Sequence, residues 1–544
     1  MPQRRRQVVA DALENAPRRP GDSADEETSV APGRRGIPLG GRDLAIAIGM
    51  VALALLFRLP RLVESPGWDG DEGYNLNIAW HLLHGRAQMF ALSYAFVQHP
   101  VLFYALLAPL LGVFGQELWV LRAVTALSGS LVAGLLYLAG AAAGGRRTAV
   151  LAALAFAGAF FTGAYNRLGY TYNLLLLWSA LALFLVIIWE RTRRPGWLWS
   201  AATAAALGLL TDQVGIFLPL FVAIRAWPHR RTIAAVLAVG VLPAAIAAAI
   251  VVAWQPDVAL ADWRHTLARA AASGAGIAAP AGPAVIATAL ARWLANYFHL
   301  LRAEWWWPAA VAGLVCVQPL DARRRLLALA GLMVAPIFAL RELEPFFRTG
   351  VPLLLPAAWG LGALMNAGIT AVYQTIGATG TRKRLLAAAA TAFVVLLPLG
   401  FEIGRSAGGL LAGFSMRIDW VLASDHGHAR AAAAFVNERT DASDVVLVSP
   451  HVSWLYHARV ADFFQAITAR GEAIAFYPAG LPARRFRFDP STATARYAVL
   501  DRYWDLWAAE SESVARLVAE IETWPLEWRG GDYRVYRRPD ALPA

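Results

Sequence analysis

Long apolar runs alternate with short polar turns from residue 44 to residue 403, after which the pattern changes to short, strand-like alternation. Apolar runs lie at 44–63, 119–143, 148–166, 171–189, 197–211, 213–227, 232–254, 305–319, 325–341, 350–372 and 385–403, which predicts about eleven membrane-spanning helices. The run 100–115 contains Pro109 and Gly112 and is short for a span. If it crossed, Arg146-Arg147, Arg191-Arg193-Arg194 and Arg225-His229-Arg230-Arg231 would all fall on the non-cytoplasmic side, so it reads as an interfacial or re-entrant helix. Arg34, Arg35 and Arg42 then place the N-terminus in the cytoplasm, and the 64–118 loop and the C-terminus outside. A second external loop spans 255–303, with amphipathic stretches at 257–272 and 284–302 expected to lie on the membrane surface. Trp293 and Trp305-Trp306-Trp307 read as interface anchors. Beyond 404, strand patterns at 445–448, 497–500 and 533–536 and helical patterns at 429–439 and 511–522 predict a small extracytoplasmic α/β domain over 404–544.

Composition agrees with a polytopic α-helical protein of the plasma membrane. The chain is 58% hydrophobic and 16% charged, against roughly 25% charged in soluble proteins. The net charge of +11 comes from Arg clusters between apolar runs, not from a basic stripe interleaved with aromatics. That arrangement signals topology and contact with membrane lipids, and excludes nucleic acid as a partner. Cys316 is the single cysteine, so neither an internal disulfide nor a cysteine metal site is available. Residues 1–42 are rich in Arg, Asp, Glu, Pro and Gly without apolar periodicity, and no signal-peptide cleavage pattern precedes the first run. They read as a disordered cytoplasmic tail.

The densest candidate chemistry directly follows the first apolar run. The stretch Trp68-Asp69-Gly70-Asp71-Glu72-Gly73-Tyr74 holds three carboxylates, and Gln98-His99-Pro100 forms a second polar knot in the same external loop. Adjacent helical residues point about 100° apart, so Asp71 and Glu72 cannot both face one substrate atom. One is the working carboxylate and the other an orienting partner. The bland alternative is a solvated loop leading into an amphipathic helix over 74–84, its acids favoured by the helix dipole.

In order, the first span, Trp68, Asp71, Glu72 and Tyr74, then Gly85, His99-Pro100-x-Leu102, Gly115 and Arg122 resemble the dolichyl-phosphate-mannose protein mannosyltransferase and aminoarabinose transferase superfamily. These are glycosyltransferases of the GT-C fold that use lipid-linked sugars, and the likeness in pattern runs over roughly 40–400. The resemblance implies that Asp71 is the base for an acceptor hydroxyl, with Glu72 beside it; Tyr74 of the same motif and Asp69, an acid this sequence adds to it, are expected to line the substrate site. His99 falls where the family has the basic residue of a Lys-Pro-Pro element that handles the lipid phosphate, and Val101 replaces its second Pro. Asn173, after Arg167, falls where the family has a second carboxylate, and Thr211-Asp212 resembles its Thr-Lys with the charge reversed. Arg348, followed by Pro352 and Pro356, resembles the family's Arg-Tyr-x-x-Pro stretch that contacts phosphate.

The implied chemistry is physically coherent. Displacing a polyprenyl phosphate from an anomeric carbon needs an activated hydroxyl on one face and a cation for the leaving phosphate on the other. Phosphate leaves without a general acid, so one carboxylate suffices for in-line displacement with inversion. The implied function is transfer of a sugar from a polyprenyl-phosphate donor to a hydroxyl of a protein, lipid or glycan, with Asp71 as base and His99, Arg167 and Arg348 facing the phosphate. No cofactor is required by this chemistry. A divalent metal is the one candidate, through His81, His84 and His99, whose ordinary reading is structural. Arg58 and Arg61 read equally as snorkelling side chains or phosphate contacts. Two other classes compete. A lipid or polysaccharide transporter, or flippase, would show charges buried mid-span or paired broken helices, and no internal repeat of that kind is found. A non-enzymatic assembly protein would not need its outer polar knots to converge.

Overall fold

A computed structural model describes residues 39–84, 101–254, 304 and 306–317, 320–340, 347–376, 381–416 and 422–539 apart from 475, 476, 478 and 482–485, with scattered residues between 255 and 303. The expected tail up to residue 38, Gly85, His99, Pro100, Trp293, Trp305 and most of the 255–303 loop lie outside the described residues.

The membrane part is built from helices α1 (Gly41–Arg58), α2 (Gly70–Leu83), α3 (Leu102–Phe114), α4 (Leu118–Ala142), α5 (Arg146–Gly158), α6 (Phe160–Arg167), α7 (Thr171–Thr192), α8 (Pro195–Thr211), α9 (Phe217–Ala226) and α10 (Arg230–Trp254). They continue as α11 (Trp306–Ala312), α12 (Leu320–Leu340), α13 (Leu354–Ile376) and α14 (Thr381–Ala412). Helix α4 packs against α1, α5 and α7, α7 against α8, and α5 against α13. Each of the eleven apolar runs holds a helix among the described residues, but the count of eleven crossings is not reached on length and apolarity. Five described helices satisfy both, and six if α5 and α6, bent by 57° at their junction, form one span. Helix α3 is among the shorter apolar helices. It buries Phe103, Tyr104, Leu107 and Leu111.

Two expectations need correction. Trp306 and Trp307 are not interface anchors: each is 3% exposed, stacked on the other at 4.7 Å and packed in the helical core. The anticipated boundary at 403/404 falls inside a helix, because α14 continues to Ala412.

The C-terminal part consists of α15 (His426–Asn437), β1 (Val445–Leu447), β2 (Arg459–Ala461), α16 (Phe463–Ala469), β3 (Ala495–Leu500), α17 (Arg502–Glu510), α18 (Glu512–Ile521), β4 (Leu526–Gly530) and β5 (Tyr533–Arg537). Its five-stranded sheet has the order β2-β1-β3-β5-β4. Strand β1 is parallel to both β2 and β3, whereas β5 is antiparallel to β3 and β4. Strand β2 has three residues and β4 is mostly exposed, so neither carries enough apolar alternation to be read beforehand.

This sheet does not hang free from the membrane part. One apolar core runs from Trp68, Leu76, Phe103 and Leu107 into Val446, Phe463 and Trp504, joining the outer helices to the domain. Trp68 is fully buried, stacks on His426 at 4.3 Å and exchanges backbone hydrogen bonds with Ala423 (2.8 and 2.9 Å). Gly73 lies so close to the 450–455 turn that a Cβ there would sit 1.7 Å from the Pro450 carbonyl oxygen. The acidic knot is therefore the seat on which the domain rests.

Candidate active site

The knot begins α2 four residues earlier than its apolar pattern suggests, and its acids are the reason. Asp69 is the N-cap, accepting a hydrogen bond from the Asp71 amide at 2.8 Å, and Glu72 reaches back to the Asp69 amide at 3.0 Å. This reciprocal capping box satisfies two backbone donors that the first turn would otherwise leave open.

Asp71 and Glu72 diverge, as neighbours on a helix must. Glu72 turns inward and is 1% exposed. It takes two hydrogen bonds from the Arg122 guanidinium, 2.7 Å from Nε and 2.6 Å from Nη2, and a third from the Gly169 amide at 2.7 Å. Arg122, fully buried, also donates to the carbonyls of Leu62, Pro66 and Gly67, each at 2.9 Å. Both Glu72 oxygens are engaged, so its place is in the scaffold beneath the knot. Asp71 turns outward and meets the Arg348 guanidinium. The two side chains are 40% and 23% exposed, so this ion pair is open to a substrate where the Glu72–Arg122 pair is closed.

Arg348 sits in the turn Phe347–Leu353 that leads into α13. It lies within electrostatic reach of Asp69, Tyr170 and Tyr172 as well as Asp71. Tyr503, from the start of α17, feels the charges of both Asp69 and Asp71. Burial first, and the charge of Asp71 second, push the Asp69 carboxyl up to about 7. The Tyr170 hydroxyl is buried and has no hydrogen-bond partner among the described residues. Neither Tyr170 nor Tyr503 is among the residues expected at this site from the sequence. The first is an aromatic in an outer turn and the second arrives from a separate domain, so only the fold brings them to the carboxylates.

The other anticipated contacts within the described residues lie elsewhere. Arg167 does not face this opening: it is fully buried and donates to the carbonyls of Ser65 (2.7 Å), Arg58 (3.0 Å), Pro60 (2.6 Å) and Arg61 (2.8 Å), with Phe414 under its guanidinium. Asn173 closes its own turn by donating to Tyr165 O (3.0 Å) and Leu168 O (2.9 Å), and accepts from Asn166 at 2.7 Å. Asn166 in turn accepts from Arg58 Nε at 3.0 Å, so Arg58 is a fully buried strut and does not snorkel. Tyr74 donates its hydroxyl to Asp462 and so ties α2 to the domain. Asp212 caps the turn after α8, accepting from the Val214 amide and Thr171 Oγ1, each at 2.9 Å. His81 pairs with Arg487 at 3.1 Å and His84 with the Trp80 carbonyl at 2.8 Å. Among the described residues no three His, Cys, Asp or Glu side chains are grouped to hold a metal ion.

This architecture has counterparts. It is similar to ArnT from Cupriavidus metallidurans bound to undecaprenyl phosphate, with a TM-score of 0.58 at 14% identity over 92% of this chain and 98% of that one. The fold is the GT-C fold. The archaeal oligosaccharyltransferase AglB from Archaeoglobus fulgidus, in complex with an inhibitory peptide and a dolichol-phosphate, shares the GT-C fold with a TM-score of 0.52 at 13% identity, over 92% of this chain and 75% of that one. Residues 98–254 match the family described as dolichyl-phosphate-mannose-protein mannosyltransferase. No curated protein matches the sequence. The expected likeness is thus borne out at the level of the GT-C fold.

Proposed function

We propose that the protein is a multi-pass plasma-membrane glycosyltransferase that moves a sugar from a polyprenyl-phosphate donor to an extracytoplasmic hydroxyl with inversion. The observation that carries this reading is the Asp71–Arg348 pair, a carboxylate and a guanidinium meeting at an open site beneath a docked domain. Asp71 takes the proton of the acceptor hydroxyl as its oxygen bonds to the anomeric carbon. The bond from that carbon to the phosphate oxygen breaks on the opposite face, and Arg348 holds the departing phosphate by its planar fork. Its present partner, Asp71, is released to act as base when the donor phosphate takes its place. The resemblance adds His99 to the donor side. The undecaprenyl phosphate bound to ArnT and the dolichol-phosphate in complex with AglB support the donor class. Glu72, Arg167 and Asn173 act through the scaffold, which their closed hydrogen bonding requires.

The test is sugar transfer by the purified chain from synthetic polyprenyl-phosphate sugars to a panel of hydroxyl acceptors. Asp71→Asn is expected to lower kcat by about 10²–10⁴-fold with donor affinity kept, the usual worth of a general base. Arg348→Gln is expected to raise the KM for donor as well as lower kcat. Wild-type rates in Asp71→Asn would remove Asp71 from the chemistry.

A further inference from the structure

A second charged site lies at the opposite end of the bundle, where α1 begins, α4 ends and α5 begins. A groove of about 650 Å³ opens there, rimmed by Arg42, Arg146 and Arg147 and walled by Ile46, Val150 and Ile369. Its single lining acid, Asp43, is already saturated. It accepts from Tyr137 Oη at 2.8 Å, from Arg146 Nε and Nη2 at 2.9 Å each, and from the Gly40 amide at 3.1 Å. Arg42 and Arg147 have no acidic partner among the described residues, so two guanidinium charges on the rim stay uncompensated. Helix α5 adds to the imbalance, since it opens with two arginines at the positive end of its dipole and its N-cap, Gly145, offers no side-chain acceptor. Leu44 and Ile48 on neighbouring turns of α1 are 56% and 60% exposed, so an apolar surface continues from the groove along the helix.

We infer that this groove binds the phosphodiester headgroup of an anionic phospholipid of the cytoplasmic leaflet. The arginine forks take the phosphate oxygens, and an acyl chain lies along Ile46 and Val150. A free phosphate would satisfy the rim but leave the apolar walls bare, which favours the lipid as occupant. The site is separate from the Asp71–Arg348 opening and does not depend on the reaction proposed there.

The test uses the full chain in zwitterionic micelles, titrated with phosphatidylglycerol, phosphatidylcholine or inorganic phosphate while the melting temperature is followed. Phosphatidylglycerol is expected to raise the Tm at a midpoint concentration at least about tenfold lower than phosphatidylcholine, as two uncompensated charges near an anionic headgroup imply. The exposed double variant Arg42→Gln/Arg147→Gln is expected to abolish that difference, and Arg382→Gln/Lys383→Gln, outside the groove lining, to keep it. Equal midpoints for the two lipids, a wild-type titration in the first variant, or an equal loss in the second would overturn the inference. A full shift with inorganic phosphate alone would overturn the lipid assignment.

Discussion

A carboxylate that is to take a proton must be reachable, and of the three acids opening α2 only Asp71 combines exposure with a cationic partner. Glu72 is locked to Arg122, and removing its charge would leave a buried guanidinium uncompensated. Glu72→Gln is therefore expected to destabilise the chain by about 3–5 kcal/mol, read as a large fall in Tm. Asp69 behaves differently. Its folded-state pKa, about 7, is raised above the ordinary value of 3.8, so the folded chain holds a proton that the unfolded chain releases. Its contribution to stability is least unfavourable below pH 4, worsens as pH rises through that window and is fully adverse above pH 7. Asn at 69 can still cap the helix through its side-chain oxygen. Asp69→Asn should thus raise Tm at pH 8 and bring little gain near pH 4, and a gain independent of pH would contradict the buried-acid account. Tyr170 offers a third residue-scale test, because its hydroxyl is buried without a partner among the described residues. Tyr170→Phe is expected to leave Tm unchanged or higher, while raising the KM for donor or acceptor by roughly fivefold, about the worth of one hydrogen bond.

Among the elements, α2 has two tasks. Its outward face presents Asp71, while Gly73, Tyr74 and Asn77 carry the C-terminal domain, the last of these donating to Ser453 Oγ at 2.8 Å. A methyl group at residue 73 has no room, because the Pro450 carbonyl would lie 1.7 Å away. Gly73→Ala is expected to push the domain off α2 at a cost of about 1–3 kcal/mol. The readout is faster hydrogen exchange in β1 and in the 450–455 turn, with the helices around α4 unaffected. Unchanged protection there would show that the domain is held by other contacts. The α2 start was legible in part: the acids at its N-terminus were read as dipole-favoured, but the capping box that moves the start to Gly70 depends on Glu72 turning back to Asp69.

The whole molecule places two charge systems at opposite ends of one helical bundle. One end holds the acidic knot and the docked domain, and the other holds the Arg clusters of the α1 and α5 starts and the α7–α8 turn. In a Cys316→Ser background, Asp532→Cys is expected to react with a membrane-impermeant maleimide in intact cells, and Arg194→Cys only after permeabilisation. Reaction of both from outside would overturn the topology.

The class, the helical segments, the position of the acidic knot and the divergence of Asp71 from Glu72 were all legible in the chain before its fold was known. Each of these is set by local quantities, namely apolar run length, charge flanking a run, and a fixed angle between neighbours. The fold alone settles which arginine meets Asp71, since Arg348 lies 277 positions away while Arg167, nearer in the chain, turns to backbone carbonyls. It also decided that the domain docks on the knot and brings Tyr503 to it. Periodicity tells which face of an element is apolar, but not which distant element covers that face. The buried arginines make the point most sharply, because Arg58, Arg122 and Arg167 are held inside by carbonyl oxygens from distant parts of the chain that only folding gathers.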